Sequence, residues 1–287
     1  MELILEKLIP VVGSKGWGNP KSKNSKYLND ITNFKNGNPS IILLPKSTEE
    51  IVKIMQICND YSWPITIQGG MTGLVQGAVP FDNEVILSLE RMNSINNLDK
   101  VSLTAIVQSG VTLENFQKFL DDENLFFPLD LGSKGSCLIG GNLSTNAGGT
   151  RVIKYGMMRE LTLGLEVVLA DGTVISNLNS LLKDNAGYDL KHLFIGSEGT
   201  LGVITEVQLR LSPVPESIMS AVCQFKDLES AVLTSQEVIQ YGIPIARIEM
   251  LNKDQMDLVI NYSKLKDYEV LPTLFFEFHG SEESNKE

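Results

Sequence analysis

The chain has 287 residues, 43% of them hydrophobic and 21% charged, which is ordinary globular composition with room for one large or two medium domains. Its 24 Lys and Arg stand against 35 Asp and Glu, and the net charge of −11 excludes the global electrostatics of a nucleic-acid or anionic-membrane binder. No apolar run reaches the roughly 18 residues of a membrane span, and the first ten residues lack a signal-peptide pattern. Three separated cysteines without CxxC spacing and two histidines, His192 and His279, give no metal-ligand pattern. The expectation is a soluble, cytoplasmic protein without a metal site.

Residues 1–38 read as an N-terminal helical and loop segment. Seven lysines and three acids in residues 1–46 give it a local charge of +4, and Lys21–Lys26 reads as a solvated loop. Ser47 with Glu50 predicts a capping box, followed by Ile51, Ile54, Met55 and Cys58 at helical spacing and Pro64 as a stop. Strands are predicted over 65–68, 85–89 and 105–109, and a helix over 112–121 with Leu113, Phe116, Phe119 and Leu120 on one face. Asp171-Gly172 predicts a hairpin between 165–170 and 173–176. Alternation from Val203 to Leu211 predicts a half-buried strand. Pro213 and Pro215 mark a boundary, beyond which a strand (219–225), a helix (227–241) and a strand (273–278) follow. The polar tail SEESNKE closes no domain. The class is α+β, without short repeats.

Glycine carries the functional signal. Residues 69–77, 132–149 and 196–202 hold 13 of the 24 glycines, each window beside a predicted strand. Clustering of this kind means that several loops must bring backbone close to something, and strand-end glycine loops with open N–H groups suit a phosphate or pyrophosphate. Neither GxxxxGK[ST] nor a strand-borne GxGxxG is present, so P-loop and Rossmann sites lack support. What stands instead is Gln68-Gly-Gly-Met-Thr-Gly-Leu74 with Gly77-Ala-Val-Pro80, then Pro128-Leu-Asp-Leu-Gly132, Ile139-Gly-Gly-Asn142, Asn146-Ala-Gly-Gly149, and Gly196-Ser-Glu-Gly-Thr-Leu-Gly-Val-Ile-Thr205.

These blocks, in this order, resemble the FAD-binding domain of the vanillyl-alcohol-oxidase or PCMH-type flavoproteins. The stretch from Pro128 to Thr205 is most similar to the D-2-hydroxyglutarate dehydrogenase family of FAD-linked D-2-hydroxy acid dehydrogenases. The resemblance implies a two-subdomain PCMH-type FAD-binding domain over 39–215, followed by the start of an α+β substrate (cap) domain over 216–287. By the same resemblance, Gly69, Gly70, Met71, Thr72, Gly73, Leu74, Gly77 and Ala78 would cradle the FAD pyrophosphate. Leu129, Asp130, Gly135, Ser136, Gly140, Gly141, Asn142, Asn146 and Gly148 would line the ribityl and isoalloxazine side, and Gly199, Val203 and Ile204 would close over the flavin or adenine. Residues 68–80 hold no His or Cys, so non-covalent FAD is expected.

The implied reaction moves a hydride equivalent from C2 of a D-2-hydroxy acid to flavin N5, with D-2-hydroxyglutarate favoured and D-lactate or glycolate as the alternative. The implied partners are that small-molecule acid and a flavoprotein or quinone acceptor, with a homodimer as one assembly. The family's substrate-carboxylate Arg and Lys, its active-site His and its His/Glu zinc ligands lie late in the substrate domain. None is matched here, so zinc belongs only to a full-length form and no catalytic residue is assigned. Two readings from other classes stay open: a non-catalytic flavin-binding fragment or subunit needing a partner chain, and a phosphate-binding module without redox chemistry.

Other residues have plainer readings. Cys137 reads as a packing residue, His192 as a satisfied structural histidine and His279 as exposed. Lys134, Arg151, Lys154 and Arg159 form a basic island, with no acid from 131 to 159, and read as solvated surface or as an attractor of anions. Arg247 and Glu249 read as a structural ion pair on a strand.

Overall fold

The computed structural model describes residues 2–21 and 26–283. Most of the Lys21–Lys26 stretch and the end of the SEESNKE tail therefore lie outside the described residues. The chain divides into two compact units. The first comprises residues 1–127, 132–147 and 158–212, and the second comprises 128–131, 148–157 and 213–287. The sequence placed 128–131 and 148–157 with the first domain; the structure assigns both to the second unit.

The first unit opens with α1 (Glu2–Val12), β1 (Trp17–Gly18), β2 (Ile41–Leu43), α2 (Thr48–Asp60), β3 (Ile65–Gln68) and β4 (Val85–Ser88). Its first sheet runs in the order β1-β2-β4-β3, with β4 parallel to both β2 and β3. All four β4 residues are buried, as expected of a strand covered on both faces. α2 lays Ile51, Ile54, Met55 and Cys58 into a core shared with Leu8 and Val12 of α1 and with Ile41, Leu43, Val85 and Leu87. Ser47 caps α2 by accepting the Glu50 N–H. The returning half of the predicted capping box is displaced by one residue, because the Glu50 carboxylate takes the Lys46 N–H at 2.8 Å.

The chain continues through β5 (Ile95–Asp99), β6 (Thr104–Gln108), α3 (Leu113–Asp121), β7 (Leu125–Phe126), α4 (Ile139–Ser144), α5 (Val152–Tyr155, in the second unit), β8 (Thr162–Val168), β9 (Val174–Asn177), α6 (Lys191–Phe194), β10 (Val203–Arg210) and β11 (Ser212–Pro213); β7 pairs with β11, and the other five strands form a second sheet. Its strand order is β5-β6-β10-β8-β9, antiparallel throughout. The Asp171-Gly172 hairpin joins β8 to β9, with Val168 opposite Val174. The expectation of a half-buried β10 is corrected. Lying between β6 and β8, it buries Ile204 and Gln208 as well as Val203, Val207 and Leu209. A second correction concerns 139–144, read as glycine loop but folded as α4. Glycine weakens a helix by about 1 kcal/mol per residue, yet a Cβ at Gly140 would fall 2.5 Å from Ser109 Cβ, so the close packing of α4 against the end of β6 requires it.

The second unit contains β12 (Ser217–Gln224), α7 (Leu228–Gln240), β13 (Ile245–Leu251), α8 (Lys253–Ser263) and β14 (Thr273–Gly280), with sheet order β12-β14-β13. Ala231, Ile245, Leu274 and Phe276 form its core. Asn252 and Gln255 cap α8 reciprocally, a signal the sequence reading passed over.

Candidate functional site

β3 and β4 end side by side, Gln68 opposite Ser88, and their carboxyl ends are where parallel strands present ligand sites. The loop from Gly69 to Ala78 leaves β3 there. The Gln68 side chain staples its base, Nε2 donating to the carbonyls of Tyr27 and Ala78 at 2.8 Å each. Among the described residues, no protein acceptor takes any of the nine backbone N–H groups from Gly69 to Gly77, although the Met71 carbonyl is held by Ile31 N–H. These residues are half-buried to exposed, and Met71 and Gln76 adopt positive φ of 56° and 66°, which curls the loop. A run of open amides on a curled loop is a concavity for an anion with several oxygens.

The glycine windows converge on this loop within the first unit. A Cβ at Gly70 would lie 2.1 Å from the Ser136 carbonyl oxygen, so only glycine lets the first and second windows touch. Gly69 packs against Gly141 of α4. The turn at 196–200 docks on the C-terminal end of α4, with Gly196 N–H on the Leu143 carbonyl and Glu198 N–H on that of Ser144. Glu198 in turn lies against Gly77.

A cleft of about 450 Å³ opens beside the loop, lined by Gly69, Gly70, Met71, Gly135 and Ser136 of the expected residues. That volume lies within the size range of small-molecule sites. Thr72, Gly73, Leu74, Gly77 and Ala78 complete the same loop, Leu74 being exposed. Gly140 and Gly141 lie in α4. Asn142 is buried with its amide 3.5 Å from Cys137 Sγ, and Asn146 accepts the Arg159 N–H. Gly199 packs on Ile67. Val203 is fully enclosed in the core and Ile204 is buried beside it, so neither side chain lines the cleft. Leu129, Asp130 and Gly148 belong to the second unit.

The cleft also takes residues that sequence reasoning missed: Tyr27, Glu90, Thr112 and Asn115. Tyr27 donates its hydroxyl to Glu90 Oε1 at 2.8 Å, and burial, followed by the Glu90 bond and charge, raises the phenol pKa. The available signal for Glu90 was its place just beyond a buried strand.

The second unit gathers a different set of charges. Arg247 pairs with Asp130, which also accepts Thr150 Oγ1 at 3.2 Å. Arg151 Nε donates to Glu277 Oε1 at 2.9 Å, and His279 Nε2 lies 2.8 Å from the same oxygen. Tyr155 Oη is 2.8 Å from His279 Nδ1, and Lys154 donates to the His279 carbonyl. Three expectations are corrected by this cluster. His279, expected exposed, is 1% exposed because β14 continues through it. Arg247 pairs with Asp130 and Glu277 rather than Glu249. The basic island does not act as one patch: Arg151 and Lys154 are engaged here and Arg159 holds the carbonyls of His192 and Ile195, while Lys134 is exposed as the solvated reading expected. His192, expected satisfied, is exposed with Nε2 3.3 Å from Asp189.

Among the described residues no group of three His, Cys, Asp or Glu is placed to hold a metal, and no helix is long and apolar enough to cross a membrane.

Two family models match the chain in order: an FAD binding domain over residues 39–177 and the C-terminal domain of FAD linked oxidases over 214–287. The mitochondrial D-2-hydroxyglutarate dehydrogenase of Arabidopsis thaliana is 42% identical over 253 residues, covering 88% of this chain and 45% of that protein. A protein of Danio rerio named probable D-lactate dehydrogenase, mitochondrial, is 38% identical over 290 residues, covering 100% of this chain and 58% of that one. The chain thus spans about half the length of the curated relatives it matches. The crystal structure of p-cresol methylhydroxylase with substrate bound superposes with a TM-score of 0.82 at 18% identity, over 99% of this chain and 62% of the other, which shows the PCMH-type fold. The convergent glycine loops and the two matched domains lead to one assignment: the chain belongs to the FAD-linked flavoproteins that pair an FAD binding domain with an FAD-linked-oxidase C-terminal domain.

Proposed function

We propose that this chain binds FAD non-covalently and serves the oxidation of a D-2-hydroxy acid to its 2-oxo acid, with D-2-hydroxyglutarate the favoured substrate. The observation that carries the reading is the run of nine backbone N–H groups from Gly69 to Gly77 that no acceptor among the described residues takes, a cradle for a pyrophosphate. FAD, when bound, supplies the acceptor for the hydride equivalent. The chain's own part is to hold the phosphates on those amides and to keep the loop in place through Gln68. Non-covalent attachment is supported by the absence of His and Cys from residues 68–80.

The relatives support the substrate class. D-lactate is the second reading, favoured by one observation: the match to the D-lactate relative runs through all of this chain. A flavoprotein or quinone acceptor and a homodimer are parts of the same proposal. So is a cytoplasmic location, although both relatives are mitochondrial by name; cell fractionation decides between the compartments.

The test is a visible spectrum of the purified chain, repeated after anaerobic addition of D-2-hydroxyglutarate and, separately, D-lactate. Bleaching by one acid supports the dehydrogenase reading and selects the substrate. A flavin spectrum that neither acid changes supports a cofactor-binding piece needing a partner chain. A colourless protein that takes up no added FAD would sink the proposal.

A further inference from the structure

We propose that the cleft beside the Gly69–Gly77 loop receives the adenosine half of FAD, and that Glu90 and Tyr27 are the residues that read it. The inference rests on the flavin reading above and deepens it. Lys26 and Tyr27 precede the matched FAD binding domain, which begins at residue 39, so the family model does not reach them.

The segment around Tyr27 is anchored to the amide loop at two points. The Tyr27 carbonyl accepts Gln68 Nε2 at 2.8 Å, and four residues on, Ile31 N–H donates to the Met71 carbonyl at 3.1 Å. Residues 27 and 31 are thus bound to the base and to the shoulder of the amide loop, and Lys26 and Tyr27 line the cleft. Glu90, just beyond β4, lines the cleft beside them, one oxygen receiving the Tyr27 hydroxyl and the other the Lys26 ammonium. Each oxygen keeps a further lone pair for a ligand donor. The Tyr27 hydroxyl donates to the carboxylate at 2.8 Å and so fixes its direction.

Chemistry then selects the part of FAD that can meet a carboxylate. The pyrophosphate is repelled by it and has the open amides. Beside the isoalloxazine, a fixed negative charge would oppose the charge that hydride acceptance brings. The ribose hydroxyls and the adenine amino group are donors, and an acid facing a ribose is an established way to hold a nucleoside. The volume of about 450 Å³ accommodates a nucleoside, and Gly135 and Ser136, which the resemblance placed on the ribityl and isoalloxazine side, line this cleft and on this proposal face the adenosine half instead.

The experiment uses the purified full chain freed of flavin, with FAD, ADP and inorganic pyrophosphate as probes in calorimetry and competition. Glu90→Gln keeps the shape and removes the charge. It should weaken FAD and ADP equally, by about 10-fold or more, the loss of a charge-assisted hydrogen bond, while pyrophosphate competes as before. Tyr27→Phe should weaken both by a smaller, matched factor and serves where Glu90→Gln does not fold. Unchanged ADP affinity with weakened FAD, or tighter pyrophosphate binding in Glu90→Gln, overturns the proposal, since either places Glu90 elsewhere along the cofactor. Failure of the unmodified chain to take up FAD overturns the flavin reading itself, and this proposal with it.

Discussion

His279 Nε2 lies 2.8 Å from Glu277 Oε1 on the same face of β14, with the imidazole 1% exposed. Burial lowers the His279 pKa below its usual 6.5, although the Glu277 bond and charge pull the other way. Arg151 and Lys154 also depress it, and Tyr155 Oη faces Nδ1. Burial raises the Glu277 carboxyl, but the Arg151 bond and charge outweigh it and the net shift is downward.

Acid unfolding should therefore come in two stages. The unfolded chain takes the His279 proton first as pH falls below about 6.5, so that part of the stability is complete above 6.5 and declines below it. The Glu277 contribution is present above about 4.5 and is lost below. Thermal melts between pH 7.5 and 3.5 should show both steps, and His279→Gln should flatten only the upper one. A variant that melts with the parent's slope between pH 7 and 5 would refute the assignment.

Arg247→Met should destabilise the second unit by about 1–2 kcal/mol, between the values for exposed and fully buried pairs, because its partner Asp130 is about a quarter exposed. Asp130→Asn should cost less, since Thr150 still has an acceptor. The double variant should fall short of the sum of the singles in urea denaturation. Strict additivity would mean that the pair carries no coupling.

Gly70→Ala places a methyl 2.1 Å from the Ser136 carbonyl and should cost about 2–3 kcal/mol, together with flavin retention. Gly73→Ala meets nothing within 4 Å and should change stability by less than about 0.5 kcal/mol. Equal melting temperatures for the two would refute the close approach of these loops.

Glu206 stands opposite Glu166 across β10 and β8, and its pKa is raised by burial first and by Glu166 among the smaller causes, against opposing bonds from Gln108 and Asn96. A raised carboxylate favours the fold at low pH and loses that contribution as pH rises through the folded value. Glu206→Gln should therefore stabilise the first unit by about 0.5 kcal/mol at pH 7 and by nothing near pH 4. A variant that is less stable than the parent at pH 7 would show that the charge is wanted there.

Local signals in the sequence reached far where the physics is local. The Ser47 cap with its apolar face, the apolar face of 112–121 that became α3, and Asp171-Gly172 each act within a few residues, and the corresponding elements lie within two or three residues of expectation. α4 was hidden because Gly140 and Gly141 argue against a helix on propensity; the reason for them, the closeness of Ser109 and Gly69, lies elsewhere in the chain. α8 had a legible cap in Asn252 and Gln255, but too weak an apolar stripe to draw notice. In the site, the glycine windows announced themselves by composition. Tyr27 with Glu90, and Asp130 with Arg247, are 63 and 117 residues apart, and no periodicity reports a pair of that kind.

The segments 128–131 and 148–157 that the second unit takes from the middle of the chain set an order of assembly. Asp130 waits for Arg247, and Arg151 for Glu277, 126 residues later. Until β13 and β14 have left the ribosome, these upstream charges have no strand to meet, while the first unit already closes at residue 212. Non-local contacts of this span are slow to form. During synthesis there is a stage in which 128–131 and 148–157 can join each other through Asp130 and Thr150 but stand without β13 and β14, while the first unit is already complete in sequence. A stop or cleavage at Pro213 would make that stage permanent, and chaperone holding or proteolysis would then concentrate on those two segments.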